Sequence, residues 1–380
     1  MSNERINVTR SSMPPFEEYI EELKPVWDSR WLSNRGAASI KFEEMLKEYL
    51  SVEEVYCFAN GHMALEVAID GLFLPKGGEI ITTPYTHCST THSIVRNGLI
   101  PVFVDVEEKT YTINSELIEK AITEKTVAIV ATHVYGFPCD VEAIEAIAKK
   151  HNLVVVYDAA HAFGVEYKGV GIGNFGDLAM FSTHATKVFH TIEGGIVTYK
   201  HMDAERFDPM TKIVNFGITS PEDIRYVGTN ARMNEFEAVM GICNLRHIDE
   251  EIAKRKVAAE RFWERLDGVK GIYLPNPGAD VKWNYAYFPV IFDGYKYNRN
   301  QVQAKLGENN IYARKYFYPI TNEVACYVEK YGNANVPISK HAAETVLALP
   351  MYADLTIEDV DRICNCIMDG DNRLLELNRD

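Results

Sequence analysis

The sequence predicts an α/β fold in which a mainly parallel central sheet carries helices on both faces and a smaller α+β domain follows. Three observations predict it. From about Val55 to Tyr199, short continuous apolar runs alternate with amphipathic helical patterns, as expected of buried parallel strands joined by crossover helices. After about Asn244 that alternation stops and longer helical patterns take over. The chain has 380 residues, 47% hydrophobic and 24% charged, which suits one large domain with a smaller one beside it.

The elements follow in order. "VYCF" precedes the helical "MALEVAIDGLF", and "EIITT" precedes "STTHSIVRNG". "PVFVDV" leads to "SELIEKAI", "VAIVATHVYG" to "DVEAIEAIAKKH", and "LVVVYDAAH" to the two runs "LAMFS" and "GIVTY". Beyond residue 245 come the long helical "IDEEIAKRKVAAERFWERL", the run "YAYFPVIF", the helical "NRNQVQAKLGENN", then "IYARKYFYP". "SKHAAETVLAL" and "TIEDVDRICNCIMDG" read as the last helical patterns. The expected division is residues 1–245 for the large domain and 246–380 for the small one.

Composition narrows the function. A formal charge of −15 argues against nucleic-acid binding, which relies on basic surface. No run of about 18 apolar residues suggests a membrane span, and "MSNERINVTRSSMPP" has no signal-peptide core, so a cytoplasmic location is expected. Seven scattered cysteines without a C-x-x-C pair indicate neither a zinc site nor a disulfide framework. Histidines 87, 92, 133, 161, 184 and 190 lie on separate segments without carboxylate or cysteine at ligand spacing, so no metal is expected. "GVGIGNFG" follows "VEYK" rather than a buried strand opening onto a helix, and reads as a turn rather than a dinucleotide fingerprint.

Ligands of such sheets bind at the carboxyl ends of the strands, and polar residues gather there. Lys187 stands in "FSTHATKVFHTIEGG", between two apolar runs. A surface lysine is the ordinary reading. In a desolvated pocket, however, a lysine favours its neutral amine, which condenses with aldehydes of a substrate or of pyridoxal phosphate (PLP). Asp158 ends a buried strand with His161 three residues on. It reads either as a helix cap or as the acid that keeps a pyridine nitrogen protonated. "FANGHMALEVAI" is a strand, a turn and a helix start, so the amides of Gly61, His62 and Met63 suit an anion, with Ser182 adding a hydroxyl.

"YDAAHAFG" followed by "FSTHATKVFHTIEGG" resembles the DegT/DnrJ family of PLP-dependent nucleotide-sugar aminotransferases, which have the aspartate-aminotransferase fold (PLP fold type I). "WLSNRG", "PYTHCSTTHSI", "THVYGFPCDVEAIEAIAKKHNL" and "GTNARMNEFEAVMG" agree along the chain. The resemblance implies that Lys187 carries the Schiff base, that Asp158 pairs with the pyridine nitrogen, and that His161 lies near the ring oxygen. It further implies that Ser182 and the amides of Gly61 and His62 hold the phosphate. Asn230 would reach the cofactor of the neighbouring subunit, so a homodimer is expected. The donor implied is L-glutamate and the acceptor a nucleotide-linked keto-sugar.

"EGG" after the lysine is similar to enzymes aminating C4 of a 4-keto-6-deoxy sugar, whereas those acting on C3 more often read "GDAG". "ARKYFYP", with Arg314, Tyr316 and Tyr318 as substrate-binding candidates, and "YDAAHAFG" look closest to the dTDP-4-amino-4,6-dideoxyglucose branch. This chain departs from the family pattern in several places. His62 stands where a Thr or Ser is usual, and His87 replaces the aromatic that stacks on the PLP ring. Thr183, His190 and Ile192 replace a Phe-type residue, an Asn and a Gly. A 3-keto-sugar aminotransferase and a catalytically inactive sensor of the same fold are the alternatives. A dehydratase of the family would carry histidine in place of Lys187.

Overall fold

The computed structural model describes residues 4–370. Its centre is a seven-stranded sheet: β1 (Glu54–Phe58), β2 (Glu79–Thr82), β3 (Ile100–Phe103), β4 (Thr126–Thr132), β5 (Val154–Asp158), β6 (Leu178–Ser182) and β7 (Gly195–Tyr199). The spatial order is β1-β7-β6-β5-β4-β2-β3. Only β7 runs against its neighbours, pairing antiparallel with β1 and β6; the β6–β5, β5–β4, β4–β2 and β2–β3 pairs are parallel. The other six strands therefore share one direction, and their carboxyl ends share one edge.

Both faces of the sheet are covered, which explains why its strands read as unbroken apolar runs. Ile81, Ile129, Ala131, Val155 and Tyr157 pack into one apolar cluster, while the alternating Ile80, Ala128, Val130 and Val156 pack into another on the opposite face. Crossover helices start where the sequence supplies a side-chain cap. Asn60 accepts from the Met63 amide (2.9 Å), Asn114 from Glu116 (2.9 Å) and Asp140 from Ala143 (3.1 Å).

The C-terminal part forms an antiparallel three-stranded sheet, β8 (Ile272–Tyr273), β9 (Phe288–Phe292) and β10 (Val346–Leu349), in the order β8-β9-β10. Helices Ile248–Leu266, Arg299–Glu308 and Ile357–Met368 build its core with Phe262, Phe288, Leu306, Val360 and Ile363. One expected element is corrected here. "SKHAAETVLAL" reads as helical throughout, yet the helix Pro337–Thr345 stops and Val346–Leu349 is a strand. Four successive buried apolar residues suit a strand buried on both faces, and pairing with β9 outweighs the helical period.

The two parts are tied together at several points. Asp105, buried in the large domain, accepts from the amides of Ile338 and Ser339 at the start of helix Pro337–Thr345 (2.9 and 2.8 Å). Residues 281–282 pair with residues 166–167. Residues 6–8, which the sequence assigns to the large domain, instead join the C-terminal part. The Ile6 amide donates to Asn310, Tyr312 to Ile6 and Met351 to Val8 (2.9, 2.9 and 3.1 Å). Ile6 is buried in the same cluster as Phe262. Residues 1–3 and 371–380 of the expected spans lie outside the described residues. No helix among the described residues is long and apolar enough to cross a membrane.

Candidate active site

A cavity of about 740 Å³ opens at the carboxyl edge of the sheet. Gly61, His62, His87, Asp158, His161, Ser182, Lys187, Arg314, Tyr316 and Tyr318 all line it, so ten of the eleven residues singled out from the sequence meet in one place. Asn230 does not. It pairs with Asn215, and its Oδ1 accepts from Arg232 (2.8 and 3.1 Å) away from the cavity.

The lysine loop, residues 183–194, is closed on itself. Thr183 N donates to Gly194 O, Thr191 N to Thr183 O and Ala185 N to Ile192 O (2.9, 2.9 and 2.7 Å), while the hydroxyls of Thr183 and Thr191 bond at 2.7 Å. Any side chain at Gly194 would collide with those two hydroxyls, and one at Gly195 would collide with the Asn60 carbonyl. This close packing is the physical content of the "EGG" motif. Ile192 lies in the left-handed region, at φ +75°, where the related motif has glycine and where a β-branched residue is disfavoured. His190 braces the loop from outside, with Nε2 2.5 Å from the Ser12 carbonyl and its own carbonyl accepting from Asn244 (2.9 Å).

Lys187 Nζ donates to the Tyr287 hydroxyl at 3.2 Å. Tyr287 is 5% exposed and packs against the rings of His161 (4.4 Å) and Tyr316 (4.9 Å). Sequence reasoning missed Tyr287, because "YAYFPVIF" shows only the signal of a strand. Also missed was Thr90, whose hydroxyl donates to Asp158 Oδ2 at 2.6 Å.

Asp158 is 4% exposed. Its Oδ1 accepts from the Ala160 amide (3.1 Å), so the capping-type contact exists in addition to the cavity position. No Lys, Arg or His nitrogen of the described residues comes within ion-pair distance of it. A buried carboxylate without a cation is costly, and a protonated pyridine nitrogen would supply one.

Of the histidines lining the cavity, His161 is buried and His87 is exposed at its mouth, and both are shifted in the same direction. Burial, followed by the Lys187 charge, pushes His161 well below the usual imidazole range. Its Nδ1 accepts from the Tyr135 amide (3.1 Å), which leaves Nε2 as the protonated nitrogen. His87 is likewise pushed down by desolvation and then by Lys187. Its Nδ1 accepts from Ser89 N (3.2 Å), capping helix Cys88–Arg96, so it both caps the helix and lines the cavity.

The phosphate end of the proposed ligand has a cradle. A Cβ at Gly61 would lie 2.8 Å from Ser182 Cβ, so only glycine lets the helix N-terminus sit against that hydroxyl residue. The Asn60 cap takes the Met63 amide and leaves the amides before it to a ligand. The residues present therefore fit PLP at the ring nitrogen, the ring oxygen, the phosphate and the lysine.

Fold and site together define a PLP-dependent enzyme of fold type I. The chain belongs to the DegT/DnrJ/EryC1/StrS aminotransferase family, whose profile matches residues 16–368. It is 38% identical, over 95% of its length and 98% of the relative's, to a dTDP-4-amino-4,6-dideoxy-D-glucose transaminase of Shigella dysenteriae. The enzyme of the same name from Escherichia coli is 37% identical over 97% of this chain and 99% of its own. Among solved structures, DesI in the presence of its TDP-sugar product has a TM-score of 0.89 and 29% identity, covering 99% of this chain and 96% of its own.

Two outcomes follow from the loop. Replacing Ile192 with Gly should raise unfolding free energy by about 1 kcal/mol, since the left-handed penalty of roughly 1–2 kcal/mol outweighs the added unfolded-state freedom; urea unfolding measures it. Glu237 faces Glu193, and burial, aided by that charge against the cap bonds of Asn234, pushes its carboxyl up to about 7. A raised carboxyl favours the fold below its unfolded value near 4.5 and loses that contribution as pH rises through about 7. Glu237→Gln keeps the capping pattern. Its stability relative to the parent should therefore improve by about 1 kcal/mol between pH 4.5 and 8, read from melting at both pH values.

Proposed function

We propose that the protein transfers the amino group of L-glutamate, through PLP, to C4 of a nucleotide-linked 4-keto-6-deoxy sugar, with dTDP-4-keto-6-deoxyglucose as the acceptor. The observation that carries this reading is a lysine amine held by the Tyr287 hydroxyl in the same cavity as a buried Asp158 that has no cation within ion-pair distance among the described residues, in a chain 38% identical to a transaminase named for that dTDP sugar.

PLP, when bound, supplies an electron sink that makes the proton on the amine-bearing carbon acidic. The protein supplies the rest. Asp158 accepts a hydrogen bond from the ring nitrogen and keeps its proton in place. His161 offers Nε2–H toward the ring oxygen. Ser182 with the amides of Gly61 and His62 takes the phosphate. Lys187 would hold the cofactor's aldehyde carbon and its amine would serve as general base and acid, with Tyr287 holding Nζ in position. Arg314, Tyr316 and Tyr318 stand on the cavity wall and take the sugar nucleotide. His87, whose charged form is disfavoured by desolvation and then by Lys187, would stack on the cofactor's ring.

The same proposal includes a homodimer in which Asn230 serves the partner's site. Phe16, Ile20, Trp27, Trp31, Leu32 and Val227 are all exposed, more apolar surface than isolated residues account for. The seven unpaired cysteines suit a reducing, cytoplasmic compartment. Sedimentation should find a dimer, and an active monomer at assay concentration would overturn this part.

Lys187→Ala should lose the borohydride-fixable bond to PLP and turnover by several orders of magnitude, since covalent and proton-moving roles vanish together. A panel of 4-keto and 3-keto nucleotide sugars with glutamate checks the acceptor. Preference for a 3-keto sugar would replace the C4 assignment, and near-normal transamination by the alanine variant would remove the lysine's role.

A further inference from the structure

The departure at His62 has a second half elsewhere in the chain. His62 Nδ1 lies 2.8 Å from Ser89 Oγ, and both side chains line the cavity beside Gly61 and Ser182. On its other side, His62 Nε2 is 3.2 Å from Glu66 Oε2 one helical turn on, and Arg96 Nε donates to the same carboxylate oxygen at 2.7 Å. Ser93 Oγ is farther, 3.5 Å from Nδ1, and its hydrogen goes to the Ser89 carbonyl (2.9 Å), so Ser89 is the nearer hydroxyl and the one that can donate to a bare Nδ1. Four groups thus form a chain, Arg96–Glu66–His62–Ser89, that ends where the hydroxyl usual in the family is missing.

The direction of the hydrogen bonds decides what that chain can do. A carboxylate only accepts, so Nε2 must carry a hydrogen toward Glu66. In neutral His62, Nδ1 is then bare and accepts the Ser89 hydroxyl hydrogen. Ser89 would turn lone pairs toward an incoming phosphate, which repels them. In protonated His62, Nδ1–H donates to Ser89 Oγ and frees the hydroxyl hydrogen for the phosphate.

We infer that His62 takes up a proton when the phosphate of the cofactor binds, and that Ser89 then serves as a phosphate donor, replacing the missing hydroxyl. This rests on the reading of the Gly61–Ser182 cradle as the phosphate site. The added positive charge faces a dianion and stands between it and the Glu66 carboxylate. The other charged or titratable groups around His62 are Arg96 and His92 on helix Cys88–Arg96 and, lining the same cavity, His87, Asp158, His184, Lys187, Glu193, Arg314 and Lys315. His92 is occupied by the Tyr327 hydroxyl (2.5 Å), and burial, then His62 and Arg96, hold it below the ordinary imidazole range.

The test measures binding of pyridoxamine phosphate to the cofactor-stripped protein by fluorescence from pH 7 to 9, which avoids both turnover and the lysine bond. One linked proton weakens binding by up to about tenfold per pH unit. The parent should therefore lose affinity steeply, and His62→Gln should lose at least about threefold less per unit. Ser89→Ala should bind about tenfold more weakly at pH 7. Glu66→Gln should bind more tightly than the parent at pH 9, because its amide can donate to Nε2 and lets neutral His62 carry hydrogen on Nδ1. Equal slopes for the parent and His62→Gln, or no gain for Glu66→Gln, would overturn the inference. If pyridoxamine without phosphate shows the same His62-dependent slope, the proton is not linked to phosphate and the inference falls while the cavity assignment stands. If the parent binds neither PLP nor pyridoxamine phosphate, the cavity assignment falls and takes the inference with it.

Discussion

Where β7 begins, a methyl group on Gly195 would strike the Asn60 carbonyl and Ala64, so two backbones meet there with only hydrogen between them. That contact sets the depth at which helix Gly61–Asp70 lies on the sheet, and hence where its N-terminal amides emerge. Gly61 repeats the constraint against Ser182. The end of β1, the end of β6 and the start of β7 are thereby fixed to one another. The cradle and the lysine loop are thus held in place by the same packing contact.

The electrostatics of the cavity follow from burial. Asp158 accepts from the Thr90 hydroxyl and the Ala160 amide and has no cation within ion-pair distance among the described residues. The imidazoles of His161 and His87 are held down by desolvation with Lys187 beside them. His133, fully buried and stacked on Tyr157 at 4.5 Å, is pushed down to about 3 by burial alone. His161, His87 and His133 thus act as dipoles whose tautomers are set by the backbone amides donating to Nδ1, whereas His62 is the histidine on which the phosphate-linked proton is proposed.

The sheet was legible because strands covered on both faces cannot alternate, and four helical crossovers in a row leave few other topologies. The site was legible for a related reason: at strand ends the side chains that matter are polar residues interrupting apolar runs, as at Asp158 and Lys187. Tyr287 and Thr90 escaped notice because each has an ordinary local role, one in a β-like run and one in a helix, and reaches the site only through the tertiary fold. β10 was misread because Val346–Leu349 continues a helical period by chance, and only the free edge of β9 reveals its use. His62 was noticed as a loss, whereas Ser89, 27 residues away, gave no sign that it compensates. Asn230 does not line the cavity of its own chain.

The N-terminal segment behaves as a leash. Ile6 and Val8 pair with the C-terminal part, yet five residues later Ser11 Oγ donates to the Ala185 carbonyl at 2.7 Å and the Ser12 carbonyl meets His190. Those last two contacts fall on either side of Lys187. A few residues of extended chain have little slack, so a tilt of the C-terminal part is transmitted to the loop that presents the amine. Because Arg314, Tyr316 and Tyr318 belong to that same part, the cavity wall they form and the loop that carries Lys187 are joined by one short N-terminal segment.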